Sequence, residues 1–185
     1  MSNLVPAAIS KKNRLLRVLW GIVYISLFRF SPIAFHSWRS FILRIFGADL
    51  DAPVYIYPSV KIWAPWNLKM GRHSTLASNV DCYSVDKVII GESSTVSQYC
   101  YLCTASHDYL DPGIMERPQM PLVAAPIEIG NYVWLTSDVF VGPGVRIEDG
   151  AVVLARSSVY KDVPPWKVVS GNPAFVKKDR VLRKN

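Results

Sequence analysis

Acidic residues are missing from the first 48 positions of this 185-residue chain, although seven basic ones stand there: Lys11, Lys12, Arg14, Arg17, Arg29, Arg39 and Arg44. Those seven equal the whole formal net charge of +7, so the rest of the chain is neutral. Histidine is scarce, with only His36, His73 and His107. His36 lies in the basic arm and the other two are far apart, which argues against a metal centre of clustered histidines. Cysteine is limited to Cys82, Cys100 and Cys103. An odd count without a secretory signal excludes a disulfide framework and points to a reducing compartment. Cys100-Tyr-Leu-Cys103 matches C-x-x-C, but no second ligand pair follows at a zinc-like spacing, so no metal is expected. Long apolar runs are also lacking. Val18–Phe28 spans eleven residues, where a membrane-crossing helix needs about 20. The basic residues before it imitate a signal peptide, yet no A-x-A-like cleavage site follows; the chain continues to Arg29 and Ser31-Pro32.

What the chain does have is a beat of six. Ile90, Val96 and Leu102 keep it, and Ile129, Leu135, Val141, Ile147, Val153 and Val159 resume it. Helices repeat apolar positions every three or four residues and simple strands every two. A strict six fits a chain that turns a corner every six residues and closes a triangular coil every eighteen. The coils stack into a repeat array with one continuous core. A second column at i+4 supports the first: Ser94, Cys100, Ser106, Val133, Val139, Val145, Ala151, Ser157 and Val163 are small or β-branched. Gly91, Gly130 and Gly142 follow the beat residue, where a turn tolerates unusual backbone angles. Upstream the beat is weaker: Val54, Val60, Trp66, then Met70, Leu76 and Cys82, with slips near Trp66–Met70 and Val88–Ile90. One long interruption, SHDYLDPGIMERPQMPLVAAP, opens with His107 at its mouth. Loops on a rigid scaffold are where chemistry concentrates.

The hexads, with TASHDYLDP, DVFVGPGV and KDVPPWKVVSGNPAFVKK, resemble the hexapeptide-repeat acyltransferases. Within that family the chain is most similar to the sugar O-acetyltransferases of exopolysaccharide (colanic-acid type) biosynthesis. WRSFILRIFGA and IYPSVKIWAPWNL extend the resemblance over nearly the whole chain. It implies a left-handed parallel β-helix, against the usual right-handed crossover. It also implies a homotrimer, acetyl-CoA as donor and a sugar or lipid-linked oligosaccharide as acceptor.

Acetyl transfer to a hydroxyl needs a base that removes its proton during attack. Histidine titrates near neutral pH and is the usual choice. His107, after TAS at the loop entrance, stands where the family resemblance places the catalytic histidine, whereas His36 and His73 read as bystanders. Asp108 and Asp111 flank it as candidates for orienting the imidazole or holding a substrate hydroxyl; Asp111-Pro112 also suits a plain turn. Asn79, Asp81 and Tyr83, about one coil earlier, are candidates for facing the acceptor. The galactoside and maltose branches carry a substrate-binding asparagine nearby, where a gapless match puts Ala77. For the donor, the resemblance assigns Trp134 to the coenzyme arm, Ser137 to the thioester end and Ala155 to the pantetheine chain. Tyr160 replaces a usual threonine. Lys178 matches a basic residue near the coenzyme phosphate, with Lys177 beside it; a lysine meets phosphate as a point charge.

The expected organisation is an all-β core with a helical arm and one projecting loop. Residues 1–48 form the basic apolar arm, 49–171 the β-helix with loop 108–126, and 172–185 a basic extension ending in a short helix or coil. Residues 1–10 are expected to be loose. Lys11–Phe28 and Ala34–Phe46 read as helices, ended by Ser31-Pro32 and Gly47. A basic apolar arm suits an anionic membrane surface or a cap on the open end of the β-helix. Nucleic acid is not expected, since no binding motif accompanies the charge. The expected location is the cytoplasm, at the inner face of the plasma membrane if the arm meets lipid. The competing functions are N-acetylation of an amino sugar, a γ-class carbonic anhydrase on the same scaffold, and a non-catalytic assembly or membrane-attachment protein.

Overall fold

The computed structural model describes residues 4–115 and 120–183. Short strands stack in parallel to form the three faces of a prism. The first face holds Asp49–Leu50, Leu68–Met70, Val88–Ile90, Ile127–Ile129 and Arg146–Ile147. The second runs from Tyr55–Ile56 through Thr75–Leu76, Thr95–Val96, Trp134–Leu135 and Val152–Val153 to Lys167–Gly171. The third holds Lys61–Ile62, Asp81–Tyr83, Tyr101–Cys103, Phe140–Val141 and Ser158–Val159.

Each face sends one column of aliphatic side chains inward. On the first face Leu50, Met70, Ile90, Ile129 and Ile147 stand in register. On the second the column is Ile56, Leu76, Val96, Leu135, Val153 and Val169. On the third it is Ile62, Cys82, Leu102, Val141 and Val159. All are buried in one continuous core. Each such side chain contributes about 1.5–3 kcal/mol by leaving water.

This register corrects the upstream beat. Ile56 and Ile62, not Val54 and Val60, are the column residues; Val54 and Val60 are buried in the small column instead. Trp66 belongs to neither, because a 3₁₀ turn at Pro65–Asn67 fills the corner before Leu68. Ser106 points outward, and its expected inward place is taken by the fully buried Thr104. Every step between columns is six residues except at the corner between the third and first faces. There the steps run Ile62 to Met70, Cys82 to Ile90, Leu102 to Ile129 and Val141 to Ile147.

The glycines after the beat also need another explanation. Positive φ occurs instead at His73, Ser93, Tyr132 and Gly150, which share one corner position in successive coils, and at Asn79, Tyr99, Asp138 and Arg156 at the next corner. Gly91 is required by close stacking: a Cβ there would lie 2.5 Å from the Gly130 carbonyl carbon of the coil above.

Helix α1 spans Lys11–Val23 and continues as a π-helical turn over Tyr24–Phe28. Ser10 caps it by accepting the Asn13 N–H at 3.1 Å. Trp20 is buried and donates its indole N–H to the Ile62 carbonyl at 2.7 Å, which fixes α1 along the third face. Helix α2, His36–Ile45, sends Ile42 and Leu43 into the core at the open end of the first coil. Gly47, at φ +88, lets the chain turn from α2 into the first strand.

The described terminal segments differ from the loose N-terminus and the extension ending in a short helix or coil that were expected. Val5–Pro6 is a strand that pairs antiparallel with Leu122–Ala124 in the projecting loop. After residue 172 the chain does not become a helix; Ala174–Asp179 folds back as a strand on Lys167–Gly171.

Candidate active site

Thr104 closes the base of the projecting loop. Its hydroxyl donates to the Tyr83 carbonyl at 2.8 Å, and its carbonyl accepts the Ala125 N–H at 2.9 Å. From there Ala105–His107 runs outward, paired antiparallel with Leu122–Ala124, and Val5–Pro6 forms the outer edge of this small sheet. His107 stands opposite Leu122 with its side chain exposed. Its Nδ1 lies 3.0 Å from the Met120 carbonyl oxygen. A carbonyl only accepts, so Nδ1 carries the hydrogen, and in the neutral ring the lone pair is then on Nε2.

The flanking carboxylates are engaged in local turns. Asp108 Oδ1 accepts the Leu110 N–H at 3.1 Å, and Asp111 Oδ1 accepts the Gly113 N–H at 2.7 Å. The orienting contact thus comes from a backbone carbonyl, which no residue type in the sequence signals.

The acceptor candidates upstream separate. Asn79 is a corner residue at φ 62, and its N–H donates to Ser59 Oγ at 3.0 Å. Asp81 and Tyr83 lie on the third face and line a groove of about 330 Å³ with Trp20, Tyr24, Lys61 and Trp63. Burial pushes the Asp81 carboxyl above the usual range, and Lys61 opposes the shift. The Arg17 guanidinium lies 4.1 Å over the Trp63 ring. Trp63 begins an aromatic ladder that climbs this face through Tyr83, Tyr101, Phe140 and Tyr160.

The donor candidates share a different strip. Trp134 is half exposed on the second face, and its indole N–H donates to Ser97 Oγ at 3.1 Å. Ser137 and Ala155 are exposed at the next corner in successive coils; the Ser137 carbonyl accepts the Arg156 N–H at 3.2 Å. Lys177 and Lys178 lie on the last strand of the second-face sheet, with Lys177 Nζ 3.7 Å from the Phe175 ring centre. The five thus lie on the second-face sheet and on the corner that follows it. The third face separates them from His107, a breadth of roughly 20 Å for six residues at about 3.3 Å each.

The thiols belong to the core. Burial raises Cys82 to about 12 and Cys100 to about 11, so both stay protonated at neutral pH. Among the described residues, no group of three histidine, cysteine or acidic side chains is placed to hold a metal ion.

No protein-family model matches the chain. It is 43% identical over 177 residues, 96% of this chain and 94% of the other, to the "Putative colanic acid biosynthesis acetyltransferase WcaF" of Escherichia coli (strain K12). The chain belongs to the hexapeptide-repeat acetyltransferases. This acetyltransferase is also similar to the solved galactoside acetyltransferase in complex with coenzyme A. That match has a TM-score of 0.83 at 26% identity, covering 94% of this chain and 84% of that one. A hexapeptide-repeat acetyltransferase of Vibrio cholerae O1 biovar eltor, complexed with acetyl coenzyme A, superposes with a TM-score of 0.81 at 25% identity. It covers 93% of this chain and 91% of that one. The parallel coils are therefore those of the left-handed β-helix, and the protein is an acyltransferase.

Proposed function

We propose that this acetyltransferase moves the acetyl group of acetyl-CoA to a sugar hydroxyl of an exopolysaccharide or its precursor, with His107 as general base. The observation that carries this reading is the bond from His107 Nδ1 to the Met120 carbonyl, which leaves Nε2 free at the loop mouth. Acetyl-CoA supplies an already activated thioester, so no covalent enzyme intermediate is required. As the sugar oxygen forms its bond to the carbonyl carbon, Nε2 takes the hydroxyl proton. When the C–S bond breaks, the imidazolium returns that proton to the departing thiolate. Trp134, Ser137 and Ala155 hold the coenzyme arm, and Lys177 and Lys178 meet its phosphates.

The separation of His107 from that strip favours a homotrimer in which one copy's base faces the next copy's donor strip. The arm holds the enzyme at the inner face of the plasma membrane, beside a lipid-linked acceptor.

The test is coenzyme A release from acetyl-CoA in the presence of the pathway's glycan, with mass spectrometry of the product. His107→Ala should lose about 10²- to 10⁴-fold in kcat. Trp134→Ala should chiefly raise KM for acetyl-CoA, about threefold to tenfold for the loss of one aromatic contact. Normal turnover by His107→Ala would overturn the mechanism.

A further inference from the structure

Both helices of the arm are apolar on two sides. The inner side of α1 and its π turn sends Trp20 and Phe28 into the core. Its outer side carries Leu15, Val18, Ile22 and Ile25, each between 61% and 63% exposed. These follow a spacing of three and four, so they form one stripe. Helix α2 repeats the pattern, with Ile42 and Leu43 inside and Trp38, Phe41 and Ile45 outside. Phe30 and Ile33, between the helices, are 79% and 64% exposed. The two outer stripes are joined by an apolar cleft of about 440 Å³ lined by Leu27, Phe30, Pro32, Phe35 and Trp38.

A surface helix of a water-soluble protein turns polar residues outward. An exposed apolar stripe of this extent marks a surface that something apolar covers. Two occupants fit: a second copy of the chain, or lipid. Charge decides between them. Lys11, Lys12, Arg14, Arg29 and Arg44 are exposed around the stripes, and no acidic residue lies within residues 1–48. Packing one arm on another would bring these cations together unneutralised, whereas anionic headgroups neutralise them. Among the described residues, no helix is long and apolar enough to cross a membrane. The face therefore lies in the interface plane.

We infer that the outer faces of α1 and α2, joined by Phe30 and Ile33, form a docking surface that inserts into an anionic bilayer. This rests on the arm's place in the proposed function and specifies which side chains enter the lipid. The docking surface is also tied to catalysis. Ala7, four residues before the helix begins, donates its N–H to the Leu122 carbonyl at 2.9 Å, and Leu122 stands opposite His107. The segment that carries His107 and the lipid-facing helix thus hang from one short stretch of chain.

The test is co-sedimentation of the full-length protein with vesicles of phosphatidylglycerol and phosphatidylcholine, against vesicles of phosphatidylcholine alone. The protein should partition onto the anionic vesicles and less so as salt rises. The double variant Phe30→Ser/Phe41→Ser should partition at least ~10-fold less. Because both side chains are exposed, its circular dichroism and its turnover of a water-soluble acceptor should stay those of the parent. Equal sedimentation of parent and variant, or no sedimentation of the parent, overturns the inference. So does a variant that dissociates in sedimentation velocity while the parent ignores vesicles, which would make a second copy the occupant. Acetyl transfer is read separately: a protein that binds vesicles yet transfers nothing would sink the proposed function alone.

Discussion

Arg39 is fully buried and donates its Nε–H to the carbonyl of Ile56 at 2.6 Å, joining α2 to the first coil. Its Nη1 donates to Ser31 Oγ at 2.8 Å and to the Pro32 carbonyl at 2.7 Å, and its Nη2 to the Ile33 carbonyl. Burial lowers its pKa from the usual arginine value, which is the mark of a charge taken from water. Arg39→Ala should leave several acceptors without donors, each costing about 1–3 kcal/mol when buried. Urea unfolding should read a total loss of about 3 kcal/mol or more. A change below about 0.5 kcal/mol would mean that the cap is held by Ile42 and Leu43 alone.

The N-terminal strand offers a second measurement. Removing residues 1–7 deletes the Val5–Pro6 pairing with Leu122–Ala124 but leaves the Ser10 cap of α1. The prism should keep its stability, because that pairing lies outside the core cluster. The loop sheet should loosen, and with it the geometry of His107. The expected result is a lower kcat with an unchanged KM for acetyl-CoA. An unchanged kcat would show that Ala105–His107 and Leu122–Ala124 suffice to aim the base.

The buried thiols predict an alkaline weakness. Burial raises the folded-state pKa values of Cys82 and Cys100 to about 12 and about 11, above the ordinary thiol value of 9.0. A raised value means that the folded protein holds the proton more tightly than the unfolded chain. Their contribution is therefore full below pH 9 and is lost as pH rises through the folded values. Each adds a slope of about 1.4 kcal/mol per pH unit within its window. Unfolding free energy measured from pH 8 to pH 11 should fall more gently in Cys82→Ala than in the parent. Parallel curves would rule out this linkage.

How far residues alone lead can be judged from particular columns. Ile129 through Val159 keep an unbroken period of six, and there every expected inward residue is buried. Upstream the period fails as a guide because the early coils carry extra residues at one corner. A fixed beat then drifts onto Val54, Val60 and Trp66, apolar residues that imitate the column without forming it. Ser106 misleads for a related reason: the chain leaves the prism at Thr104, two residues before the pattern would show it. His107 stands out in the sequence as a titratable residue at the mouth of the single long gap, and the structure leaves it exposed on the strand that leaves the prism there. The Met120 carbonyl that orients it does not stand out, since every residue has a carbonyl. The Val5–Pro6 strand was silent too, because two residues carry no periodicity.

The prism changes length at one corner only, between the third and first faces, and His107 stands on the segment inserted there. The other two corners repeat without variation, held by coil-on-coil stacking such as Gly91 beneath Gly130. A segment exchanged at the variable corner would disturb no column. The architecture thus separates what must be kept from what can be rewritten. A lineage, or an engineer, can replace the projecting segment wholesale while the stacked columns of the prism are inherited unchanged.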